Sequence, residues 1–390
     1  MKPRAGSKAL IREINEALVL DVVRVRRPVA RARIATETGL SPATVTGITA
    51  RLLGAGLLTE AEAGRSTGGR PARLLDLSSD GVLAAGVRLS STEAYVVLVN
   101  MRGEVVASHQ EQLASTRPED AAETIARAVR STTGSRASAT LVGVGVAVSG
   151  VVDQQGGIVR HSGSMGWENV AFRRRLASLM DTPVVLDSYV NSVASGLLLF
   201  DGGLGGRNLV IFSVGESLGA SVVVNGNIHR GFNGTAGGFA HSGVGTGSAR
   251  PCHCGAEDCL ETWSSRWGID RELERRGAAP GSLAGGDDVI ESAADRLGAA
   301  AANAAKMFGP EGVVMAFTPE MNIPALTART EQVFRGHYAH NATPPPTLEL
   351  TATGPFDHAS GAAHTVLAQL FTASTSDAAP GDSPSVAGLG

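Results

Sequence analysis

The chain has 390 residues, 43% of them hydrophobic and 18% charged, with a net charge of −3; that balance is one of an ordinary globular protein and excludes a fibre. No apolar run approaches the roughly 20 residues of a membrane span, and MKPRAGSKAL lacks the apolar core of a signal peptide, so a cytoplasmic protein with no membrane partner is expected. Residues 1–79 carry 13 Lys or Arg against seven Asp or Glu, about +6, leaving about −9 on the remainder, and such a basic segment on an acidic body points to a polyanion at one end only.

In AGSKALIREINEALVLDVVRVRRP, Leu10, Ile14, Ala17, Leu18, Val22 and Val25 recur every three or four residues, the spacing of one buried helical face, and Pro28 ends the helix. A second helix, ARARIATETG, closes at Gly39. LSPATVTGITARLLGAG opens a third, with Ser41 as N-cap and Pro42 in the first helical position. Two helices on a tight Gly-containing turn make a helix-turn-helix unit. Val45, Ile48 and Leu52 face inward, leaving Ala43, Gly47, Ala50 and Arg51 outward with Thr44 and Thr46 on the flanks. Ser41, Ala43, Thr44, Thr46, Gly47 and Arg51 are therefore the expected DNA contacts of this recognition helix, since small and hydroxylated residues allow close approach to base edges. GLLTEAEAGRSTGGRPARLLDL then reads as a β-hairpin wing whose tip carries Arg65 and Arg70 beside glycines, suited to phosphate or minor-groove contact. One recognition helix reads too few bases, so a homodimer or homotetramer is expected.

From residue 80 the rhythm changes. GVLAAGVRLS, TEAYVVLVNMRGEVVASHQEQL and TLVGVGVAVSGVVDQQGGIV read as strands, PEDAAETIARAVRSTT as a helix, and a second α/β half begins near RNLVIFSVGESLGASVVVNGNIHRG. This α/β pattern predicts two related lobes with a cleft between them. Lobe 1 is expected at 80–192, joined by a C-terminal helix at about 358–372, and lobe 2 at 193–357; the 373–390 tail, rich in Gly, Ser and Pro, is expected to be disordered.

All three cysteines, Cys252, Cys254 and Cys259, lie in PCHCGAEDCLETW. An odd count in so short a stretch suits a metal better than disulfides, and three thiolates need one more donor for a closed tetrahedral zinc shell. His241 in GGFAHSGVG is favoured over the rival His253, because a residue flanked by two ligands normally points away from the ion they share. Four protein ligands leave no open position, so the zinc would be structural.

GASVVVNGNIHRGFNGTAGGFAH and CHCGAEDCLE, together with the winged helix and STGGRPARLL, resemble the ROK family of sugar-responsive repressors and sugar kinases over nearly the whole chain. The resemblance implies an actin-like, two-lobed fold and a zinc held by His241, Cys252, Cys254 and Cys259. Departures from the family separate its branches. In GVRLSSTE, Arg88 stands where the kinases carry an acid, and Ser90 and Ser91 replace glycines of their phosphate loop. Tyr189 replaces the aspartate general base, and a neutral phenol of pKa about 10 does not take a proton as a carboxylate does. No catalytic residue and no kinase activity are expected. Gly238 replaces a sugar-gripping glutamate, and Ser164 and Ser188 replace asparagines, while Asp187, Asn191, His241 and Glu261 are retained. The implied ligand set is thus Ser164, Asp187, Ser188, Asn191, His241 and Glu261. Trp167 belongs to the sugar site or to the core, and Arg160 and His161 are candidate phosphate partners. The expected function is a DNA-binding regulator, a repressor of carbohydrate-related genes on a double-stranded DNA operator, with sugar or sugar-phosphate sensing altered or lost. A constitutive or protein-controlled regulator with a relic cleft, and a residual carbohydrate kinase, are the alternatives.

Overall fold

A computed structural model of the chain describes residues 7–61, 73–134, 136, 138–200, 207–245, 247–338 and 344–372. The N-terminal head consists of α1 (Lys8–Arg26), β1 (Val29–Ala30), α2 (Arg31–Thr38), α3 (Pro42–Gly54), β2 (Leu58–Ala61) and β3 (Leu74–Leu77), its strands ordered β1-β3-β2. Local chemistry sets its turns. Ser7 Oγ accepts from Leu10 N (3.1 Å) at the start of α1, Gly39 ends α2 at φ 71°, and Ser41 Oγ accepts from Thr44 N (3.1 Å) just ahead of Pro42. Val45, Ile48 and Leu52 are buried as the spacing predicts, and β2 and β3 pair antiparallel as the arms of the wing. The wing tip with Arg65 and Arg70, and the 373–390 tail, lie outside the described residues.

The buried strip of α1 differs from the predicted one. Leu18 and Val25 are 44% and 56% exposed, whereas Glu16, Val19, Leu20 and Val23 are buried beside Leu10 and Ala17. The cause is tertiary: α1 packs on α2 and α3 and also against the last helix of the body, so its buried strip turns to serve both.

Lobe 1 contains β4 (Val82–Leu89), β5 (Glu93–Asn100), β6 (Val105–Gln112), α4 (Pro118–Gly134), β7 (Thr140–Val148), β8 (Val151–Asp153), β9 (Ile158–Ser162), β10 (Trp167–Val170), α5 (Phe172–Ala177), β11 (Val184–Ser188) and α6 (Tyr189–Phe200). Lobe 2 contains β12 (Leu209–Val214), β13 (Leu218–Val224), β14 (Asn227–His229), α7 (Glu261–Ser264), α8 (Arg266–Arg275), α9 (Asp287–Phe308), β15 (Gly312–Phe317), α10 (Pro324–Gly336) and β16 (Thr347–Ala352), and α11 (Pro355–Phe371) follows. The two five-stranded sheets share one topology, β6-β5-β4-β7-β11 and β14-β13-β12-β15-β16. Each is an antiparallel meander followed by two strands parallel to its first. The fold is therefore a duplicated α/β unit, and its second copy starts where the sequence pattern places it. The expected boundary at 192 falls inside α6, which runs on unbroken to Phe200.

After lobe 2 the chain returns to lobe 1, where α11 lies across β4, β5, β7 and α6, starting slightly earlier than predicted. The approach is close enough to demand glycine: a Cβ on Gly86 would stand 1.9 Å from the Ala359 carbonyl oxygen, and one on Gly145 would stand 1.9 Å from that of Ala362. At its far end Val366, Leu367, Leu370 and Phe371 share a core with Val19, Leu20 and Val23 of α1. Arg24 of α1 donates to the Leu199 carbonyl at the end of α6. The head is thus fastened to the two helices that run back toward the interlobe cleft.

Candidate functional site

On α3, Ser41, Ala43, Thr44, Thr46, Gly47, Ala50 and Arg51 are all exposed, and a Cβ on Gly47 would meet nothing within 4 Å. Two hydroxyls are engaged locally: Thr44 Oγ1 bonds Ser41 Oγ (2.8 Å), and Thr46 Oγ1 donates to Pro42 O (2.8 Å). Small and hydroxylated side chains of this kind can meet thymine methyls and base donors. Arg51 is exposed as the spacing predicts, and it is also paired. Its Nε and Nη2 donate to Glu16 Oε1 at 3.0 and 2.6 Å, because α1 brings a buried carboxylate beneath α3. Other head arginines are paired as well, Arg26 and Arg33 with Glu37, and Arg31 and Arg73 with Glu60. Such solvent-facing pairs contribute little and exchange readily for DNA phosphates.

The metal loop is held by its own backbone. Isolated bridges join Gly243 to Cys259 and Pro251 to Glu257, while the Asp258 carboxylate accepts from Ala249 N (3.0 Å) and Arg250 N (3.2 Å). His241 arrives at the end of a 3-10 turn, Gly238–His241. The ligand atoms of His241, Cys252, Cys254 and Cys259 all lie within 4.8 Å of one another. His241 Nδ1 is 3.6 Å from Cys252 Sγ, and Cys254 Sγ is 3.6 Å from Cys259 Sγ. Bonds of about 2.3 Å (Zn–S) and 2.05 Å (Zn–N) give a tetrahedron edges of roughly 3.6 Å (N–S) and 3.8 Å (S–S), so the donor set fits zinc. Burial, then the neighbouring thiols, push Cys259 up to about 12, and burial raises Cys252 too. Thiolates gathered here therefore need a cation between them. Burial and the nearby His253 lower the pKa of His241 and keep it in the neutral form that a metal takes. His253 stays outside the cysteine set, its Nε2 3.7 Å from Glu261 Oε2 and its ring edge-on to Trp267.

A cleft of about 610 Å³ opens between the lobes, just past the carboxyl ends of β7, β11 and β12, where open α/β sheets place ligands. Of the expected ligand set, Ser164, Ser188, His241 and Glu261 reach its wall. Asp187 and Asn191 do not. Asp187 is 1% exposed; its Oδ2 accepts from Arg230 Nη2 (2.7 Å), Arg230 Nε (2.9 Å) and Gln154 Nε2 (3.1 Å), and its Oδ1 from Asn191 Nδ2 (2.9 Å). Asn191 Oδ1 in turn accepts from Ser221 Oγ (2.8 Å). Arg230 and Ser221 come from lobe 2, so these two residues tie the lobes together instead of gripping a ligand. Trp167 is core, its ring tilted against that of Phe172 with centroids 4.7 Å apart, and its Nε1 donates to Thr116 O (2.6 Å). Arg160 pairs with Asp153 (2.6 Å), whereas His161 lines the cleft while its Nδ1 bonds Glu168.

The positions that the resemblance assigns to a kinase's acid and base hold Arg88 and Tyr189. Tyr189 donates to Ser217 O (3.3 Å), and burial raises its phenol above the ordinary range. The Arg88 guanidinium lies 4.9 Å over the Tyr189 ring and donates to Ser149 Oγ (2.9 Å). A Cβ on Gly238 would meet nothing within 4 Å, so the space for a longer side chain is open. Glu261, 2% exposed, is pushed by burial up to about 7 and accepts from Leu218 N (3.4 Å). Sequence reasoning missed Glu216 and Trp267 in the cleft wall, weighed His253 only as a metal ligand, and missed Glu16 beneath α3. For Glu16 a signal existed, an acid within an apolar helical strip; for the others nothing local marks them. No described helix is long and apolar enough to cross a membrane.

Comparison with known proteins agrees with this architecture. The ROK family matches residues 84–368. The chain is 26% identical over 344 residues to the xylose repressor of Caldicellulosiruptor bescii, an alignment covering 80% of this chain and 84% of that protein. Among solved structures, a ROK family transcriptional regulator homologous to the Escherichia coli MLC protein superposes with a TM-score of 0.76 at 22% identity, covering 93% of this chain and 97% of that one. A ROK glucokinase from Streptomyces griseus, in complex with glucose and AMPPNP, has a TM-score of 0.63 at 21% identity and covers 73% of this chain and 98% of its own. The two coverages differ by about the size of the head. Since the family match spans both lobes and the metal loop, this chain belongs to the ROK family.

Proposed function

We propose that this protein is a DNA-binding transcriptional repressor of carbohydrate-related genes, acting as a homodimer or homotetramer on a double-stranded operator. The observation that carries this reading is the fusion of an exposed recognition helix to a ROK body in which Arg88 and Tyr189 stand where a kinase needs an acid and a base. Zinc on His241, Cys252, Cys254 and Cys259 stiffens the loop that forms one wall of the cleft. The route from cleft to operator is physical: α6 begins at the cleft wall with Tyr189 and Val190, and its Leu199 carbonyl receives Arg24 of α1. A ligand that changes the lobe angle would move the head through α6 and α11.

The effector of this reading is a sugar or sugar phosphate held in an altered site. With Gly238 lacking a side chain and Asp187 and Asn191 committed to Arg230 and Ser221, a plain neutral hexose binds at millimolar levels or not at all. Those same commitments favour a second reading, a constitutive or protein-controlled repressor with a relic cleft. Selection of operators from random duplex DNA by the full chain tests the regulator. Calorimetry with free and phosphorylated sugars separates the two readings, and ATP turnover with the same sugars would reveal a kinase.

A further inference from the structure

We infer that Glu16 is a positioning residue for DNA reading: from beneath α3 it holds one edge of the Arg51 guanidinium and turns the other edge toward a paired acceptor on the operator. The inference rests on α3 being the recognition helix. Arg51 is the one charged residue in α3, PATVTGITARLLG. A guanidinium carries five N–H donors in a planar fork. The contacts to Glu16 Oε1 at 3.0 Å (Nε) and 2.6 Å (Nη2) engage one edge, leaving both hydrogens of Nη1 and one of Nη2 on the other. The Glu16 side chain is 4% exposed and that of Arg51 49%, so the pair is anchored inside and open outside.

Stability gives little reason for such a pair. Glu16 lies in the buried strip of α1 with Ala17, Val19 and Leu20, where an apolar side chain would fill the core without desolvating a charge. A long, freely rotating arginine loses rotamer entropy each time it forms a bidentate contact, and a clamped one has lost it in advance. The outward edge matches two adjacent acceptors, either guanine O6 and N7 or two oxygens of one phosphate. Because α1 is fastened to the body through Arg24 and the α11 core, the clamp also fixes the direction of Arg51 relative to the lobes.

The test uses the full-length protein and the operator it selects from random duplex DNA. Anisotropy titrations over a salt series compare wild type, Glu16→Gln, Glu16→Met, Arg51→Ala and the double variant Glu16→Met/Arg51→Ala, with melting curves as a control on folding. Arg51→Ala should weaken operator binding about ten- to hundredfold. Glu16→Met should weaken it roughly five- to tenfold with the melting temperature kept or raised, and should add nothing in the Arg51→Ala background. Glu16→Gln should fall between Glu16→Met and wild type. Loss of the Arg51 effect when one operator guanine becomes 7-deazaguanine would assign the outward edge to a base. A salt slope shallower by about one would assign it to a phosphate. Unchanged operator affinity in folded Glu16→Met, or an equal loss with and without Arg51, overturns the inference. Failure of the wild type to select any DNA overturns the recognition-helix reading itself, and this inference with it.

Discussion

The proposed recognition helix α3 and the interlobe cleft treat their polar groups in opposite ways. On α3 the residues proposed to read DNA stand outward on a scaffold set by caps and a buried apolar face, and a change at Gly47 would disturb no neighbour. In the cleft, two of the polar residues expected to grip a ligand are committed to the opposite lobe, and Gly238 has no side chain to offer. A surface site can be kept or lost residue by residue, whereas a cleft residue that finds an internal partner becomes part of the architecture. The metal loop sits between these extremes, a cluster of four donors that could hold a metal ion and that lines one part of the cleft wall.

The comparison breaks most visibly if the metal loop proves dispensable. Cys254→Ser should abolish zinc binding in metal analysis and cost roughly 4 kcal/mol, a melting-temperature drop of about 10 °C. Equal melting of the variant and wild type would separate the loop from the fold. Acid should weaken the body next. Burial, and for His358 also Arg88, hold His358 down to about 3, and burial holds His364 down to about 4. Their folded pKa values lie below the unfolded one, so their contribution is complete above about pH 6.5 and shrinks as pH falls toward the folded values. By pH 5 the loss is about 1–2 kcal/mol for each, and His364→Leu should remove its share of that acid sensitivity in melting curves.

Two substitutions sharpen the contrast itself. Gly47→Trp, placed in open space on α3, should lower operator affinity about a hundredfold with no change in melting, as expected for a site on the outer surface. Loss of stability in parallel would show that the recognition face is not independent of the core. The smallest effect is a gain: Gly238→Glu places a carboxylate in the unfilled space of the cleft wall and should raise affinity for a neutral hexose about tenfold in calorimetry. No gain would mean that the commitments of Asp187 and Asn191, not the missing glutamate, have closed the site.

By itself the sequence determined whatever depends on neighbours within a few turns of chain. The Ser41 cap, the Gly39 turn, the inward Val45, Ile48 and Leu52 and the cysteine cluster with His241 follow from spacing, because helix caps and loop ligands act over short separations. The start of the second lobe was legible for the same reason, as a second strand-turn-strand unit. Tertiary structure alone decided the rest. Asp187 meets Arg230 from 43 residues away, and Arg51 meets Glu16 from 35. Leu18 and Val25 turn outward because α11, from the far end of the chain, claims the neighbouring strip of α1. A charge finds its partner, and a helix its buried side, only when distant segments pack, and no local period encodes which segments those will be.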